Sequence, residues 1–171
     1  MKMIRGKKNY TNWFAFLLVV CTIFFNSIFS EFSITSNINK FFNIQYVLIY
    51  FFCFNRFKYF SISVLFVLGL INDSLLGTPF GMSAAVYMLI YKIAVYQHNI
   101  KLRSIFTSEW LAFGLSILAA YFLVVVIFYM INQSFDYELY IYNFLGSFFI
   151  YPVLWAFLKY FFMNVEKIQN E

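Results

Sequence analysis

The chain has 171 residues, 63% of them hydrophobic and 11% charged, with a mean hydropathy of +0.77 and a formal net charge of +5. That balance excludes a water-soluble domain and implies a polytopic, all-α membrane protein, because a backbone in lipid must satisfy its polar groups internally. The positive charge is then needed first for membrane topology, and nucleic acid is not an expected partner. The abundance of Phe, Ile, Asn and Tyr beside few Gly is the bias expected of an AT-rich genome, so the Phe runs are not read as a binding site.

In chain order, the basic start MKMIRGKKNYTNW leads into an apolar run without the small residues a cleavage site requires. It therefore reads as a first transmembrane helix rather than a secretory signal. About 20 apolar residues cross the hydrocarbon core at 1.5 Å per residue. The segments that qualify, some of them short, are Asn12 to Phe29, Phe41 to Phe54, Tyr59 to Leu76, Pro79 to Gln97, Trp110 to Ile131 and Tyr140 to Phe161. They form a single integral membrane domain over residues 1–171. The region from Tyr59 to Gln97 would be roughly 55 to 60 Å long as one helix, too long for a tilted span, and the Gly77-Thr78-Pro79 break divides it.

Loop charge tests this count independently. With six spans, one side holds Lys2, Arg5, Lys7, Lys8, Arg56, Lys58, Lys92, Lys101, Arg103, Lys159 and Lys167, and only Lys40 lies opposite. The far side carries Glu31, Asp73, Asp136 and Glu138. By the positive-inside rule both termini are cytoplasmic. Merging the third and fourth spans would put Lys101 and Arg103 outside and Asp136 inside.

The chemistry-bearing residues are few. Cys21 and Cys53 sit far apart in apolar runs and suggest neither a disulfide nor a zinc site. His98 lies alone in a basic loop, without the orienting partner of a base or the companions of a metal ligand. No phosphate loop or nucleophile–base–acid set is found, so no cofactor, no metal and no enzymatic activity is expected.

At the break, Gly77 suits the residue past a helix end, Thr78 suits a cap for the next helix, and Pro79 suits its first position. Asp73 then falls in the last turn of the third helix, the wrong end of the macrodipole for an anion. Lys92 lies about 20 Å down the fourth helix and is out of reach. Asp73 must therefore find water, a polar neighbour or another protein. Asn26, Asn43, Gln45, Asn72, Asp73 and Asn143 all come to the outer half, whereas no comparable set of amides falls in the inner half. Either these are independent interfacial residues, or they share a polar concavity that could receive a lipid headgroup or a partner segment. Small residues Gly81 and Ala85 on the fourth span, and Ala112, Ser116, Ala119 and Ala120 on the fifth, suit internal helix contacts.

The segment FVLGLINDSLLGTPFGMSAAVYMLIYKI resembles the signature of the bacterial rod shape-determining MreD family: Gly-x-x-x-Asp, then Gly-x-Pro-apolar-Gly between two helices. Gly69, Asp73, Gly77, Pro79 and Gly81 occupy those places, with Thr78 inside the hairpin. FIYPVLWAFLKYFF is similar to the family's closing helix, with Pro152 and Lys159. The chain departs from the proline-aspartate pair that opens the second helix in many members, having Asn43 and Gln45 there. The resemblance implies a non-enzymatic inner-membrane component of the wall elongation machinery. Its partners would be an MreC-like bitopic protein and, through it, the MreB filament and the peptidoglycan polymerase and transpeptidase, with membrane lipid around it. It also implies a fold similar to the substrate-binding membrane subunits of energy-coupling-factor transporters. The rival expectation is therefore a vitamin or small-solute transporter subunit, although the first helix lacks the Ala-x-x-x-Ala docking face such subunits often carry.

Overall fold

The computed structural model describes residues 13–25, 43–55, 60–100, 106–131 and 137–170. These residues form six helices and, among themselves, no strand. They are α1 (Trp13–Phe25), α2 (Ile44–Phe54), α3 (Ile62–Leu76), α4 (Met82–Asn99), α5 (Phe106–Ile131) and α6 (Tyr137–Asn170). Each predicted span contains one helix, in the predicted order.

Pairings between helices fix their directions. Gln45 meets Tyr87 and Tyr50 meets Gln97, so α2 and α4 run parallel. Asn72 and Asp73 meet Ser83, so α3 opposes α4. Tyr121 meets Asn43 and Glu109 meets Tyr50, so α5 opposes α2. Ser147 meets Asn43, and the Tyr151 ring meets that of Tyr50, so α6 runs with α2. Consecutive helices from α2 to α6 therefore alternate in direction.

The shortest helix lies at the centre. Eight of the eleven residues of α2 are buried, as in a helix enclosed by others on most sides. Around it Tyr50, Phe113 and Tyr151 form an aromatic core, with ring centroids 5.2 Å apart for Tyr50 and Phe113 and 4.2 Å for Phe113 and Tyr151. On the outside of the bundle the polarity is inverted relative to a soluble protein. Leu111, Leu115, Leu118 and Phe122 form an exposed stripe on α5, as do Phe149, Val153, Phe157 and Tyr160 on α6. Two segments, Phe106–Ile131 and Tyr140–Phe162, are long and apolar enough to cross a membrane.

Several boundaries differ from the predicted spans. Helix α4 begins at Met82, not at Pro79, because a turn intervenes. Helix α5 begins at Phe106 rather than Trp110. Helix α6 continues to Asn170, past the predicted end at Phe161, since Glu166, Lys167 and Gln169 beyond the apolar run are good helix formers.

The closest helix pair is α3 with α4. A Cβ at Gly69 would lie 2.5 Å from the Ala84 nitrogen, and closer still to its Cα. Glycine is thus required by backbone approach, and its counterpart is Ala84 rather than the expected Gly81 and Ala85 face. A second contact repairs a defect. Pro152 lies inside α6 and has no N–H for the Phe148 carbonyl four residues earlier. The Trp110 indole N–H from α5 donates to that carbonyl at 2.9 Å.

Gly69→Ala should lower stability by about 2 kcal/mol or more, read as a lower melting temperature in detergent. Ala84→Gly should fail to rescue it, because the clash is with backbone. Trp110→Phe should destabilise by about 1 kcal/mol beyond its packing loss, and this increment should vanish in a Pro152→Ala background, where a backbone N–H can serve Phe148.

Candidate functional site

Asp73 is fully buried and its carboxylate is saturated by neutral donors. Oδ1 accepts from Thr78 Oγ1 at 2.9 Å and from the Ser83 N–H at 3.0 Å, and Oδ2 accepts from the Gly81 N–H at 2.8 Å. The last two are the free amides at the start of α4, where an anion also meets the positive end of the macrodipole. The expectation that the helix dipole disfavours Asp73 is therefore corrected, and its polar neighbours are those of its own hairpin. The residue stands at the wrong end of its own helix because it serves the right end of the next.

The connection is built to allow this. Gly77 ends α3 in the left-handed region at φ 65°, and the Thr78 N–H returns to the Asp73 carbonyl at 3.2 Å, a Schellman-type closure. The Met82 N–H then donates to the Pro79 carbonyl at 3.1 Å, and Gly81 has φ 91° and ψ −8°. Those are the values for the third residue of a type II turn, a place that favours glycine. Thr78 is consequently not the cap of α4, and Pro79 is not its first residue. Thr78 donates sideways to Asp73, Gly81 occupies the cap position, and the turn turns Phe80 outward to 79% exposure. A cavity of about 460 Å³ beside the tip is lined by Asp73, Ser74, Gly77, Thr78, Pro79, Phe80 and Ile131.

Of the other expected residues, Gln45, Asn72 and Asn143 are buried and Asn43 is partly buried. Asn72, at 4% exposure, donates to Ser83 Oγ at 2.9 Å, on the same residue whose N–H Asp73 accepts. The Asn43 backbone N–H donates to Ser147 Oγ at 2.9 Å and its Nδ2 to the Tyr121 hydroxyl at 3.0 Å. Gln45 accepts from the Tyr87 hydroxyl at 2.8 Å. Asn143 is buried on α6 one turn before Ser147. Asn26 lies outside the described residues. The set thus divides into a hairpin group around Asp73 and a group around the start of α2. Most of its amides are engaged with hydroxyls rather than facing one open concavity.

The opposite half also carries a polar group, which the sequence reading missed. Glu109 on α5 is 8% exposed, and its Oε2 accepts from the Trp155 indole N–H at 2.8 Å. Lys159 Nζ lies 4.2 Å from the centroid of that same indole. Gln97 receives the Tyr50 hydroxyl and donates to the Ser108 carbonyl at 3.0 Å. On α6, Asn143, Ser147, Tyr151, Trp155 and Lys159 recur every fourth residue as one ridge, and that spacing was the available signal. Among the described residues no three His, Cys, Asp or Glu side chains come together as metal ligands. His98 is exposed in the last turn of α4, against the Phe54 ring.

What this arrangement can do chemically is hold helices in register and present an exposed apolar tip. No family model, no curated protein and no solved structure matches the chain.

Asp73→Ala should destabilise the protein by about 3 kcal/mol, since two backbone amides lose their acceptor. Asp73→Asn should lose roughly half as much, because the amide keeps one acceptor oxygen and turns an NH2 toward the remaining donor. Thermal unfolding in detergent checks both values. Equal stability of all three proteins would contradict the capping role.

Proposed function

We propose that the chain is a six-span protein of the bacterial inner membrane, with both termini cytoplasmic. Its role is that of a non-enzymatic scaffold in wall elongation, the reading motivated by the resemblance to the MreD family. The α3–α4 hairpin carries this proposal. Gly69, Asp73, Gly77 and Gly81 each have a mechanical role there, and the turn between them leaves Phe80 projecting at the outer surface.

The alternating helix directions and the uneven loop charge support the six spans. Helix α2 spans about 16 Å, roughly half the hydrocarbon thickness. It needs no lipid-facing length of its own because α4, α5 and α6 surround it. An MreC-like bitopic protein is the direct partner in this reading, and the MreB filament and the peptidoglycan polymerase and transpeptidase are indirect ones. Phe80 and the adjoining cavity are the contact surface. A rival reading, a vitamin or small-solute transporter subunit, draws on the buried amides and tyrosines around Asn43. Thermal stabilisation by a vitamin, with copurification of an ATPase module, would favour it.

A photo-crosslinking residue at position 80 should capture an MreC-like protein in cells, and depletion of the chain should widen cells and slow their elongation. Unchanged cell width and elongation together with no such crosslink would overturn the proposal.

A further inference from the structure

Two buried amides on different helices are each half used, and they converge on one stripe of α4. Gln45 of α2 engages the Tyr87 hydroxyl through Oε1, and its Nε2 has no partner. Asn72 of α3 engages Ser83 through Nδ2, and its Oδ1 has no partner. Both side chains are more than nine-tenths buried. Ser83 and Tyr87 are four apart on α4 and lie one above the other. Side chains on a helix lean toward its N-terminus, so the long Tyr87 side chain reaches back over the turn that holds Ser83. The two amides are thereby drawn to one face of α4. An unpaired donor and an unpaired acceptor thus accompany two side chains one turn apart on α4. Turning either amide over exchanges its nitrogen and oxygen but still leaves one end of each unpaired.

We infer that the junction of α2, α3 and α4 binds one long-lived, water-sized hydroxylic molecule, held between the free ends of Gln45 and Asn72. A hydroxyl is donor and acceptor at once and suits either orientation of the amides, whereas an ion does not. The Asp73 carboxylate is already held by three donors of its own hairpin. Buried polar groups left over by the protein are the usual seat of such a molecule, which makes about three hydrogen bonds. It completes a transverse link from α2 through α4 to α3, between elements far apart in sequence. The inference does not depend on any role in wall growth.

The test is cross-relaxation NMR on the whole protein in detergent micelles, with side-chain amides labelled. The Gln45 NH2 protons should show a peak at the water frequency, of the sign that marks residence longer than molecular tumbling, and Asn72→Leu should abolish it. A peak to detergent or lipid headgroup protons instead would overturn water as the occupant, and no hydroxylic peak at all would overturn the site. A double-mutant cycle supplies the control in case Asn72→Leu alters the fold. Gln45→Met and Asn72→Leu do not bond each other directly, so independent sites give additive losses in melting temperature. A shared molecule should make the double variant's loss smaller than the sum by about 2 to 4 °C, and additivity within a degree would count against it.

Discussion

The packing of α3 against α4 hangs on one carboxylate that belongs to two helices at once. Asp73 is part of the last turn of α3, yet its oxygens hold the first amides of α4 and the hydroxyl of the connecting Thr78. An uncompensated charge at that depth would be prohibitive. Three hydrogen bonds and the favourable end of a helix dipole make it an anchor instead. Because the anchor fixes the angle at which α4 leaves, it also fixes the approach that Gly69 permits against Ala84. The small residue and the acid are two halves of one device, one allowing contact and the other setting its direction.

Helix α4 is in turn the surface on which the other elements register. Ser83 receives α3, Tyr87 receives α2, and Gln97 receives α2 again and reaches the start of α5. These polar contacts run down a helix packed in an otherwise apolar interior. In such surroundings greasy side chains slide past one another with little preference, and hydrogen bonds supply the register that packing leaves loose. The two short helices α2 and α3 gain most from this, having little length of their own.

How much of this could be read from sequence depends on how far each signal acts along the chain. The six helices were legible from apolar runs and loop charge. The stop at Gly77 was legible because a helix end and a glycine are adjacent in sequence. Asp73 was recognised as anomalous, but its partners were not, since capping was weighed only within its own helix while the donors lie eight and ten residues on. The type II turn hid in plain view: Pro79-Phe80-Gly81 was read as the opening of a helix, where proline is equally at home. Glu109, Gln97 and Tyr50 escaped notice because each is unremarkable alone, and only the folded bundle brings them to one level. Asn143, Ser147, Tyr151, Trp155 and Lys159 could have been found by asking for period four along α6 rather than for polar character by depth.

The repaired proline has a consequence for the order in which the bundle can be completed. A helix interrupted by Pro152 carries a bare carbonyl at Phe148, and its donor comes from Trp110 on another helix, 38 residues earlier. During synthesis α5 emerges first, so the indole is already present when the interrupted turn of α6 arrives. The last helix is therefore not an autonomous insert but a template-dependent one, whose middle turn becomes complete only on docking. Its unfinished carbonyl acts as a proofreading mark: it stays unpaired wherever α6 settles against the wrong neighbour.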